Sequence, residues 1–203
     1  MSVIETMKER HSVRKFDPEH KMSEETLREI IEAAAEAPSS WNLQHWKFLV
    51  FQSEEKKQEL LPIAYNQQQV VNGSVTIAVL GDKEANKNAD VVFGEALKQG
   101  AMTEEIKEKI VTSIHGAYER EGYNRDAALI NGSLASMQLM LAAKEKGYDT
   151  VPMEGFDKEK LIETFNIPER YIPVMLIAVG KATGEPRPSF RFPVDDVIIK
   201  DSF

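Results

Sequence analysis

The stretch AALINGSLASMQLMLAA, residues 127–143, contains no charged residue and decides how the rest of the chain is arranged. Its large apolar residues recur at spacings of three and four, which is the periodicity of an α-helix. They are Leu129, Ile130, Leu134, Met137 and Leu141. Small or apolar residues also occupy the other faces, and a helix that is apolar nearly all round is buried on most sides. We therefore expect a central helix, enclosed by one core or shared between two subunits.

The same stretch does not predict a membrane span. It is slightly short for a membrane span, and several of its residues are unfavourable in a lipid environment. They are Asn131, Gly132, Ser133, Ser136 and Gln138. If the helix is shared, we expect its small residues to allow close approach of a partner subunit. They are Gly132, Ser133, Ala135 and Ser136, and Asn131 and Gln138 would then find hydrogen-bond partners at that contact.

Composition limits the class of protein. The 203 residues fit a single domain over 1–203, and the net charge of −8 disfavours nonspecific binding to nucleic acid. The absence of cysteine excludes disulfides, thiolate metal sites and cysteine nucleophiles. The first ten residues lack the apolar core of a signal peptide. We therefore expect a soluble cytoplasmic protein.

The order of elements favours an α+β fold. Helices come first, strands are dispersed and no regular alternation of strand and helix occurs, so we predict a small mixed or antiparallel sheet packed between helices. The predicted helices besides the central one are 2–10, 24–37, 54–61, 91–99, 103–121 and 158–165. The predicted strands are 47–52, 75–80, 148–151 and 174–179, with a possible last strand at 194–199. In the first helix, Val3, Ile4 and Met7 share one face, and Gly147 is the expected cap after the central helix.

Common catalytic motifs are missing. The chain has no GxGxxG after a strand, no GxxxxGK[ST] and no GxSxG. Its histidines, His11, His20, His45 and His115, show no HxxxH or HExxH spacing, so no metal site is predicted. These absences leave a binding protein or an enzyme whose chemistry resides in a bound cofactor.

Two polar segments are unusual for a purely structural role. Arg10, Ser12, Arg14 and Lys15 form an anion-binding composition, because guanidinium groups and a hydroxyl suit phosphate oxygens. The alternative is a solvated basic turn. The loop 38–46 combines amide side chains with both tryptophans of the chain. The alternative there is a surface loop whose tryptophans fill the core.

Two further segments carry weaker signals. Asn66 and Gln69 are amides at helical spacing, which taken alone indicate a solvated helix face. The turn at 152–156 contains Gly155, which allows close approach to the backbone. Neither segment is informative by itself.

Together these segments resemble a known family, the nitroreductase-family flavoproteins of the FMN-dependent NAD(P)H oxidoreductase type. The resemblance rests on RHSVRKF (10–16), PSSWNLQHW (38–46), YNQQQ (65–69), VPMEGFD (151–157), and VG followed by PSFRFP (179–193). It covers essentially the whole chain, in order and in spacing. It implies an α+β homodimer with a central apolar helix and two FMN sites at the subunit interface.

The resemblance also implies a role for individual residues. The FMN phosphate and ribityl chain are implied to contact Arg10, His11, Ser12 and Arg14, with Arg191 returning to the phosphate. The flavin bound mainly by the partner subunit is implied to contact Pro38, Ser39, Ser40, Asn42 and Gln44. The pyrimidine side of the ring is implied to contact Asn66 and Gln69. The turn over the redox edge, where a backbone N–H meets the flavin N5, is implied to be Pro152, Glu154 and Gly155.

No side chain is implied to be catalytic, because the flavin performs the hydride chemistry. The implied reaction is ping-pong: NADH or NADPH reduces FMN, and a nitroaromatic or quinone-like acceptor then takes two electrons. Trp41 and Tyr65 are candidates to line the acceptor slot, or they pack the interface. Alternatives on the same scaffold are a flavin reductase, an enone reductase or a dehalogenase. Outside these enzymes, a non-catalytic flavin-binding redox sensor and a helical interaction protein without a cofactor stay open.

The chain departs from the family pattern at two positions. His45 stands where the family usually has proline, which we expect to loosen the loop without removing its amides. Gln69 stands where lysine is frequent, and it supplies a hydrogen bond but no charge. We therefore expect a lower reduction potential for the flavin than a lysine would give.

Overall fold

A computed structural model describes residues 2–203, so the first residue of the predicted 1–203 domain lies outside the described residues. Within them, the strands are β1 (Trp46–Phe51), β2 (Val75–Asp82), β3 (Asp149–Met153) and β4 (Tyr171–Gly180). They form one sheet in the order β1-β2-β4-β3, and every neighbouring pair is antiparallel. The predicted α+β fold class is confirmed, with an antiparallel sheet.

Helices cover both faces of this sheet. They are α1 (Val3–Glu9), α2 (Glu24–Ala35), α3 (Glu54–Ile63), α4 (Gln69–Asn72), α5 (Ala89–Lys98), α6 (Glu104–Tyr118), α7 (Tyr123–Glu145), α8 (Lys158–Thr164) and α9 (Val194–Val197). Helix α7 contains the predicted central helix and extends it at both ends. It ends as expected: Gly147 has a φ of 74°, and the N–H groups of Gly147 and Tyr148 donate to Lys144 O and Ala143 O.

The sheet separates two apolar cores, because successive residues of a strand face opposite sides. Ile77 and Val79 of β2 join a core with Leu139 of α7. Their neighbours Ala78 and Leu80 join the other core, together with helices α3 and α8. Every residue of β2 is buried, as expected for a central strand covered on both faces.

Small residues bring α7 close to its own sheet. A Cβ added to Gly132 would lie 2.8 Å from Val174 Cγ2 of β4, and one added to Gly81 of β2 would lie 2.6 Å from Ala128 O. Ala135 and Ser136 are completely buried in the chain. The expectation that Gly132, Ala135 and Ser136 allow approach of a partner is therefore wrong, because these residues are buried within the chain. Ser133 is exposed, so for this residue the expectation stays a prediction.

The two amides of α7 are also satisfied within the chain. Asn131 Nδ2 donates to Ala127 O at 2.7 Å, and its Oδ1 accepts from Ser40 N at 2.9 Å. Gln138 Nε2 donates to Ala33 O of α2 at 2.7 Å. The expectation that these amides need partners in a second subunit is therefore wrong.

One face of α7 remains uncovered in the chain. Ile130, Leu134 and Met137 lie along it at helical spacing and are 61%, 43% and 39% exposed. The apolar face of α1 is uncovered as well: Val3, Ile4 and Met7 are exposed, and Thr6 is the buried residue of that helix. The prediction that α7 is buried on most sides is therefore incomplete for the single chain.

The C-terminal segment is not a strand. The predicted strand at 194–199 is wrong: the chain there forms the single helical turn α9 and pairs with no strand among residues 2–203. All residues from 187 to 203 are exposed, including Phe190, Phe192 and Ile198. None of the helices between residues 2 and 203 has the length and apolar character needed to cross a membrane.

Candidate functional site

The basic segment after α1 is held by backbone hydrogen bonds between β3 and the chain that follows β4. Val13 N donates to Thr150 O at 3.0 Å, and Thr183 N donates to Lys15 O at 3.1 Å. Val13 and Phe16 are buried in the core, so the residues between and before them face outward. The fold thus presents the side chains of Ser12, Arg14 and Lys15 at the surface.

These residues line two clefts, one with His11 and the other with its sequence neighbour Ser12 in the lining. Arg10 and His11 line a cleft of about 410 Å³ together with Arg191 of the C-terminal segment. Ser12 and Arg14 line a cleft of about 270 Å³. The structure thus brings Arg191 and Arg10 to the lining of one cleft, although 180 residues separate them in sequence. Both clefts are rich in cations, since Lys8, Lys15 and Arg187 also line them.

The turn after β3 borders a third cleft. Pro152 and Glu154 line it with Ser133 of α7 and Lys158 of α8, and its volume is about 390 Å³. A Cβ added to Gly155 would meet no heavy atom within 4 Å, so there is open space beside the backbone at this position. The turn is therefore accessible to a flat ligand that approaches the backbone.

The glutamine-rich segment contacts this turn. Gln67 Nε2 donates to Gly155 O at 2.8 Å, and Asp157 N donates to Ile63 O at 2.9 Å. Tyr65 and Asn66 are exposed and adopt left-handed φ values of 53° and 57°, which are uncommon for residues other than glycine. Such backbone outliers persist only where the surrounding structure holds them, and they are frequent at functional sites.

Gln69 is buried beneath that segment. It is 6% exposed, and its Nε2 donates to Gln67 Oε1 at 3.0 Å and to Met153 Sδ at 3.3 Å. Gln67 could not be singled out from the sequence, because three consecutive glutamines give no signal that distinguishes one from the next. Three of the segments singled out in the sequence, at 10–16, 65–69 and 151–157, therefore meet around β3.

The loop 38–44 has an unusual backbone. Trp41, Asn42 and Gln44 have φ values of 51°, 55° and 53°. Internal hydrogen bonds hold this conformation: Gln44 N donates to Ser39 Oγ at 2.9 Å, and Gln44 Nε2 donates to Asn42 O at 3.1 Å. Ser40 N donates to Asn131 of α7 at 2.9 Å, which fixes the loop to that helix. The side chains of Asn42 and Gln44 are exposed, and so is Pro38, the first residue of the loop.

His45 anchors the end of this loop. Its side chain is completely buried, and its Nε2 is hydrogen bonded to the hydroxyl of Tyr118 at 2.9 Å. Burial lowers the pKa of His45 from 6.5 to about 4, opposed by the charge of Asp82. Burial also raises the pKa of Tyr118. His45 is therefore neutral at pH 7, and its packing favours a fixed loop rather than the loosened one that we expected.

The two tryptophans of the loop differ. Trp46 is 6% exposed and belongs to the core, as predicted by the alternative in which the tryptophans of this loop fill the core. Trp41 is 37% exposed, and its ring centroid lies 6.3 Å from that of Tyr123 at the start of α7. Trp41 is therefore available at the surface, as Tyr65 is.

The loop and the turn after β3 lie on different sides of α7. Ser40 contacts Asn131, whereas Leu129 and Ser133 line the cleft at Pro152. Leu129 and Ser133 are each two residues from Asn131, and residues two apart in an α-helix point in directions about 200° apart around its axis. A single chain therefore does not bring the loop 38–44 to the other three segments. Among residues 2–203, no three His, Cys, Asp or Glu side chains converge in a way that could hold a metal ion.

Comparison with known proteins identifies the family. The model of the Nitroreductase family matches residues 7–181. The chain is 49% identical over 196 residues to YodC of Bacillus subtilis (strain 168), provisionally named an NAD(P)H nitroreductase, with 97% of each chain covered. It is 36% identical over 195 residues to the CLA biosynthesis enone reductase of Lactiplantibacillus plantarum, covering 94% of this chain and 90% of that one. The chain belongs to the nitroreductase family, a family of oxidoreductases.

A solved structure agrees in fold. A provisionally named nitroreductase from Exiguobacterium sibiricum 255-15, crystallised in complex with FMN, superposes with a TM-score of 0.91 at 41% identity. The match covers 98% of this chain and 97% of that one. This similarity over nearly the full length of both chains agrees with the α+β architecture described above.

Proposed function

We propose that the protein is an FMN-dependent oxidoreductase that uses NADH or NADPH to reduce nitroaromatic or quinone-like acceptors in a ping-pong, two-electron reaction. The observation that carries the proposal is the meeting of a cationic surface, two amides and an open glycine turn around β3. Family membership and the FMN-bound relative support it.

The chemistry of the donor groups fits FMN. Arg10, Arg14 and Arg191 offer guanidinium forks for a phosphate, and His11 and Ser12 add polar contacts. Bound FMN would supply the redox chemistry, taking a hydride from the nicotinamide and passing two electrons to the acceptor. The chain would bind and orient the cofactor, and no side chain with a perturbed pKa would be needed for proton transfer.

We assign the ring contacts to the segments beside β3. Asn66 and Gln69 would hold the pyrimidine side, and Pro152, Glu154 and Gly155 would border the redox edge. The open space beside Gly155 supports this assignment, because a flat ring needs close approach to a backbone N–H there. Trp41 and Tyr65 are exposed aromatic residues that could stack on a planar acceptor.

We also propose that the chain acts as a single-domain homodimer, in which the loop 38–44 of one subunit completes the site of its partner. Its contacts would come from Pro38, Ser39, Ser40, Asn42 and Gln44. Two observations support the dimer: the loop lies across α7 from the rest of its own site, and apolar side chains of α1, α7 and the C-terminal segment are exposed. Exposed apolar surface of this kind is typical of interaction sites.

The test is a steady-state assay of NADH and NADPH oxidation on protein of known flavin content. The panel of acceptors holds a nitroaromatic, a quinone, free flavin, a halogenated aromatic and an enone. Ping-pong turnover with the first two supports the proposal, and a purified protein without flavin refutes it. Preferential turnover of the enone would favour enone reduction, the second candidate, which the similarity to an enone reductase supports. Flavin binding without turnover would indicate a redox sensor.

A further inference from the structure

Gln67 has a fixed orientation. Its Nε2 donates to Gly155 O at 2.8 Å, and a backbone carbonyl can only accept hydrogen bonds. The nitrogen of Gln67 must therefore face Gly155, and the oxygen must face the other way. That oxygen lies 3.0 Å from the side-chain nitrogen of Gln69.

The orientation of Gln67 in turn fixes Gln69. The amide nitrogen of Gln69 has two acceptors, Gln67 Oε1 and, at 3.3 Å, the sulfur of Met153. Rotating this amide by half a turn would place an oxygen against two groups that only accept, and the side chain is buried, so water could not relieve the contact. The hydrogen-bond network thus assigns the nitrogen and oxygen of Gln69.

The oxygen of Gln69 points away from these partners. No group among residues 2–203 donates a hydrogen bond to it, and the oxygen keeps some exposure to solvent. The open end of Gln69 is therefore a hydrogen-bond acceptor. The chain of contacts from Gly155 through Gln67 to Gln69, which we name the amide relay, joins the turn after β3 to this acceptor.

We propose that Gln67 is a positioning residue that turns the oxygen of Gln69, rather than its nitrogen, toward the flavin ring. The inference rests on the proposed function, in which Gln69 lies at the pyrimidine side of FMN. Reduction adds negative charge to that side of the ring, and a carbonyl oxygen opposes it whereas an N–H would stabilise it. The amide relay thus lowers the reduction potential of the bound flavin and makes it a stronger reductant.

The first test measures the two-electron midpoint potential of bound FMN in Gln67→Leu. This variant removes both contacts of the relay and frees the Gln69 amide to rotate and donate. We expect the potential to rise by about 30 mV, which corresponds to tenfold tighter binding of reduced over oxidised FMN. An unchanged potential overturns the inference.

Two further variants separate the relay from a general loss of structure. Gln68→Leu is the matched control, because Gln68 is exposed and its side chain donates to the nearby Asn66 O at 3.3 Å and takes no part in the relay, so the potential stays at the wild-type value. Gln67→Glu keeps an oxygen beside the Gln69 nitrogen, so its potential does not rise. A rise in either variant equal to that in Gln67→Leu overturns the inference.

The second test observes the relay directly by hydrogen exchange of glutamine side-chain amides, measured by NMR on the flavin-loaded protein. We expect the Gln69 amide to be protected in the wild type and unprotected in Gln67→Leu, while Gln68 is unprotected in both. An unprotected Gln69 amide in wild-type protein that holds FMN overturns the inference alone. Protein that binds no FMN overturns the proposed function together with the inference.

Discussion

Burial of His45 makes the stability of the protein depend on pH in a defined window. In the folded chain the pKa of His45 is about 4, whereas its ordinary pKa, which applies to the unfolded chain, is 6.5. As pH falls from 6.5 toward 4, the unfolded state binds a proton that the folded state does not, so stability decreases. At about 1.4 kcal/mol per pH unit, the loss from this residue reaches about 3 kcal/mol at pH 4.

The assay is urea unfolding at a fixed protein concentration, repeated between pH 7 and pH 4, for wild type and His45→Gln. Glutamine keeps a polar group near the Tyr118 hydroxyl but does not titrate in this range. We expect the free energy of unfolding of the variant to fall less steeply than that of wild type, with the difference growing to about 3 kcal/mol. Other groups titrate in both proteins and cancel in this difference.

A parallel loss of stability in His45→Gln and wild type between pH 6.5 and 4 would contradict the lowered pKa of the folded His45. Parallel curves would mean that the buried site accepts a proton as readily as the unfolded chain does.

Four other changes have expected outcomes. Arg14→Ala removes the proposed charge-assisted contact to the FMN phosphate, worth roughly 1.5–3 kcal/mol, so we expect FMN affinity, measured by flavin fluorescence, to fall about tenfold or more. Gln69→Lys brings a cation to the proposed ring site, so we expect the two-electron midpoint potential, measured by dye-coupled titration, to rise. Gly132→Ala places a Cβ 2.8 Å from Val174 and lowers the unfolding free energy by about 1–3 kcal/mol in urea. Ile130→Glu charges the exposed face of α7, and we expect it to shift the proposed dimer to monomer in light scattering.

Matched variants make these outcomes specific. Arg28→Ala removes an exposed arginine of α2 and should leave flavin binding unchanged. Gly116→Ala adds a Cβ in α6 where no heavy atom lies within 4 Å, and it should stabilise by up to about 1 kcal/mol through helix propensity. Val91→Glu changes an apolar residue of α5 that is as exposed as Ile130, and it should leave the particle mass measured by light scattering unchanged. A variant that behaves like its control contradicts the corresponding assignment.

The sequence located α7 correctly but not the direction of its faces. An apolar pattern on all sides predicts burial without saying which side meets the sheet and which remains uncovered. Gly132 therefore fitted a partner contact as well as a sheet contact, and its close approach to Val174 of β4 shows that it faces the sheet. The error at 194–199 is different, because its apolar residues favoured a strand but are exposed in the chain and pair with no strand among residues 2–203.

Candidate site residues could be predicted from the sequence where they belong to a motif, as in the segments 10–16 and 151–157. The residues that support them could not be predicted, because their hydrogen-bond partners lie far away in sequence. Asn131 holds Ser40 across 91 positions, and Gln67 holds Gly155 across 88. Such contacts depend on how the elements pack, and a pattern within one segment does not contain them.

The most direct test of the FMN-dependent activity is an anaerobic half-reaction experiment on the purified protein, followed by the absorbance of its flavin. We expect NADH or NADPH to bleach the oxidised flavin band stoichiometrically, and a nitroaromatic or quinone added after the nicotinamide is spent to restore it. A protein that carries no flavin, or whose flavin band stays oxidised with both nicotinamides, would contradict the account.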